Sequence, residues 1–296
     1  MTAAAPRPII FGEVLVDRFP DGSAVLGGAP FNVAWNLQAL GLAPLLVTRV
    51  GEDELGERIG RAMEDWGLDT AGLQRDPRQP TGTVEVTLES GEPRYAIAAG
   101  VAYDFIAAEA VPAPAPGDLL YHGSLALRTA VPRLALDRLR AQATGGALVD
   151  VNLRSPWWER ETALELLRGA RWAKLNADEL GLLVPGEPDL DTRAQRLLAA
   201  ADLECVVVTL GAEGAVAHGR AGWSHRPAAP AAGPVADTVG AGDAFAAVTL
   251  LGLVRGWEWP VILERAQQLA AAVVGLRGAT TDDRGFYQTF RRAWET

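Results

Sequence analysis

Asp237-Thr238-Val239-Gly240-Ala241-Gly242-Asp243-Ala244-Phe245 sets two glycines and a carboxylate where a loop turns into an apolar helix. The apolar run continues to about Val254 with no interior proline. Glycine lets backbone N–H groups approach an anion closely, and the first turn of a helix is electropositive. The start of the helix is therefore a positive cradle, and the carboxylate of Asp243 sits inside it. The pattern suits the removal of a proton from a hydroxyl and the passage of a phosphoryl group to its oxygen. A tight turn followed by a first-turn acid, favoured by the helix dipole by about 0.3–1 kcal/mol, produces the same short pattern. A second acid, Asp237, and the length of the run favour the chemical reading.

Further constellations carry polar groups of the right kind. Gly12-Glu13-Val14-Leu15-Val16-Asp17 precedes Gly27-Gly28-Ala29-Pro30-Phe31-Asn32. A strand-end aspartate and a Gly-Gly helix entry with an asparagine can grip vicinal hydroxyls and let a sugar ring lie close. A surface turn at Asp17 and a plain helix entry at Asn32 are the alternative. Asn176 and Glu179, at i and i+3, share one face of a helix start. Hard oxygen ligands there suit Mg2+, whereas N-x-x-E is also a capping box. In Asp150-Val151-Asn152-Leu153-Arg154, Arg154 is either a phosphate contact or a surface arginine. Thr209-Leu210-Gly211-Ala212-Glu213-Gly214 reads as a strand, a tight turn and the start of another strand.

Lys174 is the single lysine, against 26 arginines. It stands between Ala173 and Leu175, so the chain has no Gly-x-x-x-x-Gly-Lys-[Ser/Thr] loop. The protein-kinase arrangement, a strand lysine together with a His-Arg-Asp loop, is absent as well. Any nucleotide phosphates must be held by backbone N–H groups, arginine and metal.

Bulk properties narrow the field further. A chain of 296 residues can bury a substantial core. The formal net charge is −10, with no basic patch, which argues against a nucleic-acid partner. Cys205, the one cysteine, lies in an apolar run and reads as a buried, inert thiol; no internal disulfide is possible. No signal-peptide core and no apolar stretch of about 18 residues is present, so the expectation is a cytoplasmic protein without a membrane partner.

The elements that must position these residues alternate strand and helix. Strands are expected at Arg7–Val14, Leu45–Val50, Leu119–His122, Ala147–Val151, Trp172–Leu175 and Cys205–Leu210. Helices are expected at Pro30–Leu40, Leu55–Trp66, Arg133–Ala143, Thr162–Arg168, Ala177–Leu183, Thr192–Ala201, Ala241–Val254, Val261–Val274 and Phe286–Trp294. The order implies a parallel sheet covered on both faces, with ligands outside the carboxyl ends of its strands. The last four strands form its expected centre. Asp150, Asn152, Asn176, Glu179, Thr209 and Gly211 fall at those ends. Val14–Leu26 and the hairpin Thr81–Ala98, with its turn at Ser90–Pro93, break the alternation and suggest a small β-flap. The loops 112–116 and 227–234 are too short to part independent domains.

The run DTVGAGDAFAA closely resembles the C-terminal signature of the ribokinase-like (PfkB-type) carbohydrate kinases. GEVLVD with GGAPFNVAWNLQALG is similar to the N-terminal signature of bacterial fructokinases in that family. The resemblance extends from Gly12 to about Gly278, with motif order and spacing preserved. It implies a three-layer α/β/α sandwich with a mainly parallel central sheet and a small β-flap lid. It implies one kinase domain over residues 1–296, the lid strands coming from about 14–26 and 81–100. By resemblance, Asp243 is the general base and Gly240, Ala241 and Gly242 line the anion hole. Asp17, Gly27, Gly28 and Asn32 bind the sugar, with Tyr95 on the flap's return strand a further candidate. Arg154, Asn176, Thr209, Gly211 and Gly214 hold the nucleotide. Asn176 and Glu179 position Mg2+, and a monovalent cation, usually K+, lies near Asp237.

The implied activity is ATP-dependent phosphorylation of a sugar hydroxyl, fructose first. Another sugar, 2-keto-3-deoxygluconate and a nucleoside follow. One departure stands out. Small apolar residues occupy Ala96–Val101, where many fructokinases carry a lid arginine. That removes an anchor for a substrate carboxylate or phosphate, and it counts to a lesser degree against fructose. The rival from another class is a non-catalytic sugar- or nucleotide-binding regulator on the same scaffold; the intact Asp243 and its cradle favour the enzyme. Free flap edges suit pairing between two copies, so a homodimer is expected.

Overall fold

Short runs of buried aliphatic residues alternate with amphipathic helices along the chain, and this produces a layered α/β fold in the computed structural model. The structure describes residues 6–89, 92–230 and 233–295. Its strands are β1 (Pro8–Phe11), β2 (Leu15–Arg18), β3 (Ala24–Gly27), β4 (Leu45–Gly51), β5 (Leu73–Asp76), β6 (Gly82–Glu89), β7 (Glu92–Ile97), β8 (Leu119–His122), β9 (Ala147–Asp150), β10 (Trp172–Asn176), β11 (Cys205–Thr209), β12 (Ala215–Gly219) and β13 (Ser224–His225). Its helices are α1 (Ala29–Ala39), α2 (Glu54–Trp66), α3 (Ala130–Gln142), α4 (Arg160–Leu167), α5 (Ala177–Leu183), α6 (Leu190–Ala201), α7 (Ala241–Arg255), α8 (Trp259–Val274) and α9 (Arg284–Trp294).

The main sheet has nine strands in the order β13-β12-β11-β10-β9-β8-β1-β4-β5. Every neighbouring pair is parallel except β11–β12 and β12–β13. Alternate residues of each strand enter opposite cores. Ile10, Leu46, Leu148 and Val207 pack under α1, α2, α7, α8 and α9. Ile9, Phe11, Val47 and Leu120 pack with α3, while Val149, Leu175 and Val208 pack with α4–α6. This is the three-layer α/β/α sandwich. A second, four-stranded sheet, β3-β2-β6-β7, forms the small flap.

Local chemistry explains the element ends. Asp53 caps α2 by accepting from the Gly56 N–H at 2.8 Å, and Gly67 closes that helix with a left-handed φ of 83°. α7 is buried from Ala244 to Gly252, which makes it the central helix of its layer. Two expectations need correction. The first strand stops at Phe11 rather than Val14, because the chain turns at Gly12 (φ 150°) and leaves the main sheet for the flap. β5 was not anticipated: Leu73-Gln74-Arg75-Asp76 is short, polar and at the sheet edge, so it lacks the apolar signature of the inner strands. Ser90 and Gly91 of the flap turn, and residues 231–232 of the later loop, lie outside the described residues. Among the described residues no helix is long and apolar enough to cross a membrane.

His122, at the end of β8, is fully buried and ties two layers together. Its Nδ1–H donates to the Gly123 carbonyl at 2.8 Å, and Nε2 accepts from Arg140 Nη2 of α3 at 2.7 Å. Burial, aided by the Arg140 charge, pushes its pKa down to about 3. The unfolded chain therefore binds a proton that the folded protein refuses between about pH 6.5 and 3. This group makes the fold lose about 1.4 kcal/mol per pH unit as pH falls through that window. Urea unfolding at pH 6.5 and pH 5 should show a steeper loss in the wild type than in His122→Gln. Equal slopes would contradict the neutral, Arg140-bonded ring.

Candidate active site

The carboxyl ends of the parallel strands and the start of α7 meet in one region, and chemistry-bearing side chains project into it. Gly240 caps α7 in the left-handed region (φ 83°), a conformation that only glycine adopts without strain. A Cβ there would lie 2.3 Å from Ala279 Cα, so the close backbone approach also requires glycine. Gly240, Ala241 and Gly242 form the N-terminal entry to the helix, and their N–H groups belong to the unsatisfied first turn. Asp243 follows one residue later. Its Oδ2 accepts from Asn32 Nδ2 of α1 at 2.8 Å, a bond between residues 211 positions apart. Burial raises the Asp243 pKa to about 6, with nearby Asp150 adding to the rise; Asn32, Lys174 and Arg154 oppose it.

The hydroxyl-binding candidates lie on the flap strands and at the entry to α1. Asp17 stands on β2, half-buried, with its pKa raised to about 6 by burial against the pull of Arg154. Gly27 lies opposite: a Cβ there would come within 2.8 Å of Asp17 Oδ2. Gly28 (φ 105°) lets α1 start against the Glu13 backbone, whose carbonyl oxygen is 2.7 Å from where a Cβ would stand. Tyr95 lies on β7 on the same flap face as Asp17, through the register Asp17–Val84 and Val86–Tyr95, and is 54% exposed. Asn32 Oδ1 is buried and has no partner among the described residues.

The nucleotide and metal candidates line the neighbouring strand ends. Asn176 and Thr209 are register partners at the ends of β10 and β11. Gly211 (φ 60°) and Gly214 (φ 88°) make the turn into β12. Asn176 caps α5 by accepting from the Glu179 N–H at 2.8 Å. Glu179 returns the bond at 2.9 Å from the Asn176 N–H and also accepts from the Leu153 N–H at 2.8 Å. The capping box is thus present, and it fixes the β9–α4 loop to α5. Asp237 accepts from the N–H groups of Val239 at 3.0 Å and Gly278 at 3.2 Å, which closes the loop before the cradle. Among the described residues, no group of three or more His, Cys, Asp or Glu is arranged to hold a metal ion. Each Glu179 oxygen already accepts one backbone N–H, so this carboxylate could meet a cation only through its remaining lone pairs or through water.

Arg154 extends from the β9–α4 loop, where Asn152 takes a left-handed φ of 40°. Its charge acts on Glu13, Asp17 and Asp243 together, so it stands within electrostatic reach of all three carboxylates.

Sequence reasoning missed two members of this region. Glu13 is 4% exposed, its Oε2 has no partner among the described residues, and burial pushes its pKa up to about 7. Arg128, following β8, is held by Asp104 through Nε at 2.6 Å and Nη2 at 2.8 Å, and by the Ala98 carbonyl at 2.6 Å. Its guanidinium packs 4.4 Å from the Trp157 ring and 5.1 Å from the Tyr103 ring. An arginine therefore reaches the flap's return strand from another element, but Asp104 already matches its charge. Glu13 stands within the Gly12–Asp17 motif without a signal of its own, and nothing local to Arg128 marks it in the sequence.

Comparison with known proteins points the same way. The pattern of the pfkB family carbohydrate kinases matches residues 3–284. A fructokinase from Klebsiella pneumoniae is 34% identical over 259 residues, covering 82% of this chain and 83% of that protein. Among solved structures, a fructokinase from Vibrio cholerae O395 bound to fructose, ADP and calcium superposes with a TM-score of 0.84 at 27% identity, over 96% of this chain and 98% of that one. An aminoimidazole riboside kinase from Salmonella enterica, complexed with aminoimidazole riboside and an ATP analogue, gives 0.83 at 26% identity, over 96% and 99%.

Proposed function

The chain belongs to the pfkB family of carbohydrate kinases, and we propose that it passes the γ-phosphoryl group of ATP to a hydroxyl of a neutral sugar, fructose first. The observation that carries this reading is the Asn32–Asp243 hydrogen bond, which joins the hydroxyl-binding motif to the cradle motif. Asp243 takes the proton of the sugar hydroxyl as its oxygen attacks the γ-phosphorus. The bond from that phosphorus to the bridging oxygen breaks, and ADP leaves with the electron pair. The N–H groups of Gly240, Ala241 and Gly242 face the charge on the phosphoryl oxygens in transit. Catalysis of this kind is positioning and electrostatics. Mg2+, faced by Glu179 and Asn176, would neutralise the phosphates, and K+ near Asp237 would support the loop before the cradle. Thr209, Gly211 and Gly214 border the adenosine side, with Arg154 over the phosphates. The flap, folded as part of one kinase domain, closes over the sugar and keeps water from the phosphoryl group. Phe19, Val25 and Tyr95 leave apolar surface exposed on the flap, which supports pairing of two copies there. The protein would act in the cytoplasm.

Charge supports a neutral substrate. Glu13, Asp17 and Asp243 all lie within electrostatic reach of Arg154, which has no ion pair among the described residues, whereas Arg128 is neutralised by Asp104. Such a site attracts hydroxyl donors and repels a carboxylate or a sugar phosphate. ADP release should therefore be measured with ATP, Mg2+ and a panel of fructose, other hexoses and pentoses, 2-keto-3-deoxygluconate, sugar phosphates and nucleosides. Neutral sugars should exceed the anionic ones by about 100-fold or more in kcat/KM. Preference for an acid or a phosphosugar would overturn the substrate class. Preference for a nucleoside would favour the second reading, supported by the riboside kinase's equally close fold. Silence across the panel would favour a non-catalytic regulator.

A further inference from the structure

Lys174 and Asp150 are register partners on β10 and β9, and both project toward α7. Lys174 Nζ donates to Asp150 Oδ1 at 3.0 Å and Oδ2 at 2.9 Å. The pair is almost fully enclosed, at 6% and 3% side-chain exposure. The Tyr121 hydroxyl donates to Asp150 Oδ2 at 3.3 Å from β8. Gly242 lies directly above: a Cβ built on it would meet Lys174 Nζ, its nearest neighbour, at 3.5 Å. Two of the three ammonium donors are used by Asp150, and the third has no acceptor among the described residues.

Stability does not account for this arrangement. A buried ion pair loses as much in desolvation as it gains in attraction, and an apolar pair of equal volume is often as stable. The same faces of these strands carry Leu148, Trp172 and Val207, so apolar packing is the local norm. The chain instead keeps its only lysine here, behind the glycine cradle.

We propose that Lys174 and Asp150 are a fixed internal charge pair that works on the transfer site from behind Gly242, Lys174 being a positioning residue whose ammonium keeps Asp150 from acting against the base and backs the anion cradle. This rests on the reading of Asp243 as the base. Several groups bear on Asp243: Asn32 from α1, Glu13 after β1, Tyr121 from β8, Asp150 from β9, Arg154 from the β9–α4 loop, Lys174 from β10 and the N-terminus of its own helix. Of the two cations, Arg154 is exposed and water screens it; Lys174 is buried and screened much less. Glu179, also facing Asp150, adds a third carboxylate that the ammonium must hold in check.

The test uses charge sign, which a merely structural role would not reproduce. Asp243 should be titrated by carboxyl 13C NMR in the ligand-free protein, and the acid limb of kcat/KM for the sugar recorded, in wild type, Lys174→Met, Asp150→Asn and the double variant. Lys174→Met leaves Asp150 uncompensated, so the Asp243 midpoint should rise by about one pH unit. Asp150→Asn should lower it by a similar amount. The double variant should return to within about 0.3 of wild type, with kcat still reduced by about 10-fold or more because the cradle has lost its backing charge. Midpoints that stay fixed in both single variants, or move in the same direction, would overturn the proposal. If Lys174→Met does not fold, Asp150→Asn and the double variant still decide it. The NMR midpoint is read without turnover, so failure of the base assignment is separable from failure of the pair.

Discussion

Asp243→Asn should lower kcat by about 1,000-fold, within the range that a positioned general base contributes. The substitution is isosteric and keeps an oxygen for the Asn32 Nδ2 donor, so the site's shape survives. Dissociation constants for ATP and sugar should therefore stay within about threefold, which separates lost chemistry from lost binding. The pH dependence points to the same group. Burial lifts the Asp243 pKa to about 6, so the base is ionised above that value and protonated below it. Wild-type kcat/KM should fall about tenfold per pH unit below pH 6. Asp17 and Glu13 titrate in the same range, at about 6 and about 7, so the limb can be steeper than one proton. Near-normal turnover in Asp243→Asn would remove the base from the mechanism.

Gly240→Ala should have the second largest effect, and it acts through the backbone. A methyl there would fall 2.3 Å from Ala279 Cα and 2.5 Å from the Ala279 carbonyl oxygen, and no rotamer relieves a clash with main chain. The left-handed φ of 83° adds strain of about 1–2 kcal/mol. The start of α7 must shift, and its N–H groups then miss the phosphoryl oxygens. A loss of about 100-fold or more in kcat is expected, together with a lower urea midpoint. Gly242→Ala is the informative comparison. Its added methyl meets nothing nearer than Lys174 Nζ at 3.5 Å, an ordinary contact, so the urea midpoint should hold. Normal kcat in Gly240→Ala, with the protein folded, would show that the cradle does not serve the reaction.

Most of the frame was legible in the chain. Inner strands such as β9 and β11 are continuous aliphatic runs, and α7 is apolar on nearly every side because it is buried on nearly every side. Candidate residues at Asp150, Asn176 and Thr209 could be placed because a parallel sheet exposes its strand ends together. Contacts that depend on how distant elements dock were not legible. The Asn32–Asp243 bond spans 211 positions and follows from α1 packing beside α7. The Lys174–Asp150 pair follows from the register of two strands joined by a helical crossover, where alternation decides the face a residue takes but not which residue it opposes. Arg128 was hidden for a different reason. The expected position for a lid arginine is Ala96–Val101, where small apolar residues stand, while the arginine that arrives does so from after β8 and is held by Asp104. β5 was missed because an edge strand needs little hydrophobicity.

Phosphoryl transfer itself is the most direct test. 31P NMR of the wild-type protein with ATP, Mg2+ and fructose should show the γ-phosphate resonance replaced by a sugar phosphomonoester in step with ADP. The same mixture with Asp243→Asn should leave ATP intact over the same time. No phosphomonoester from fructose or any other neutral sugar, with ATP either untouched or hydrolysed to free phosphate, would contradict the account.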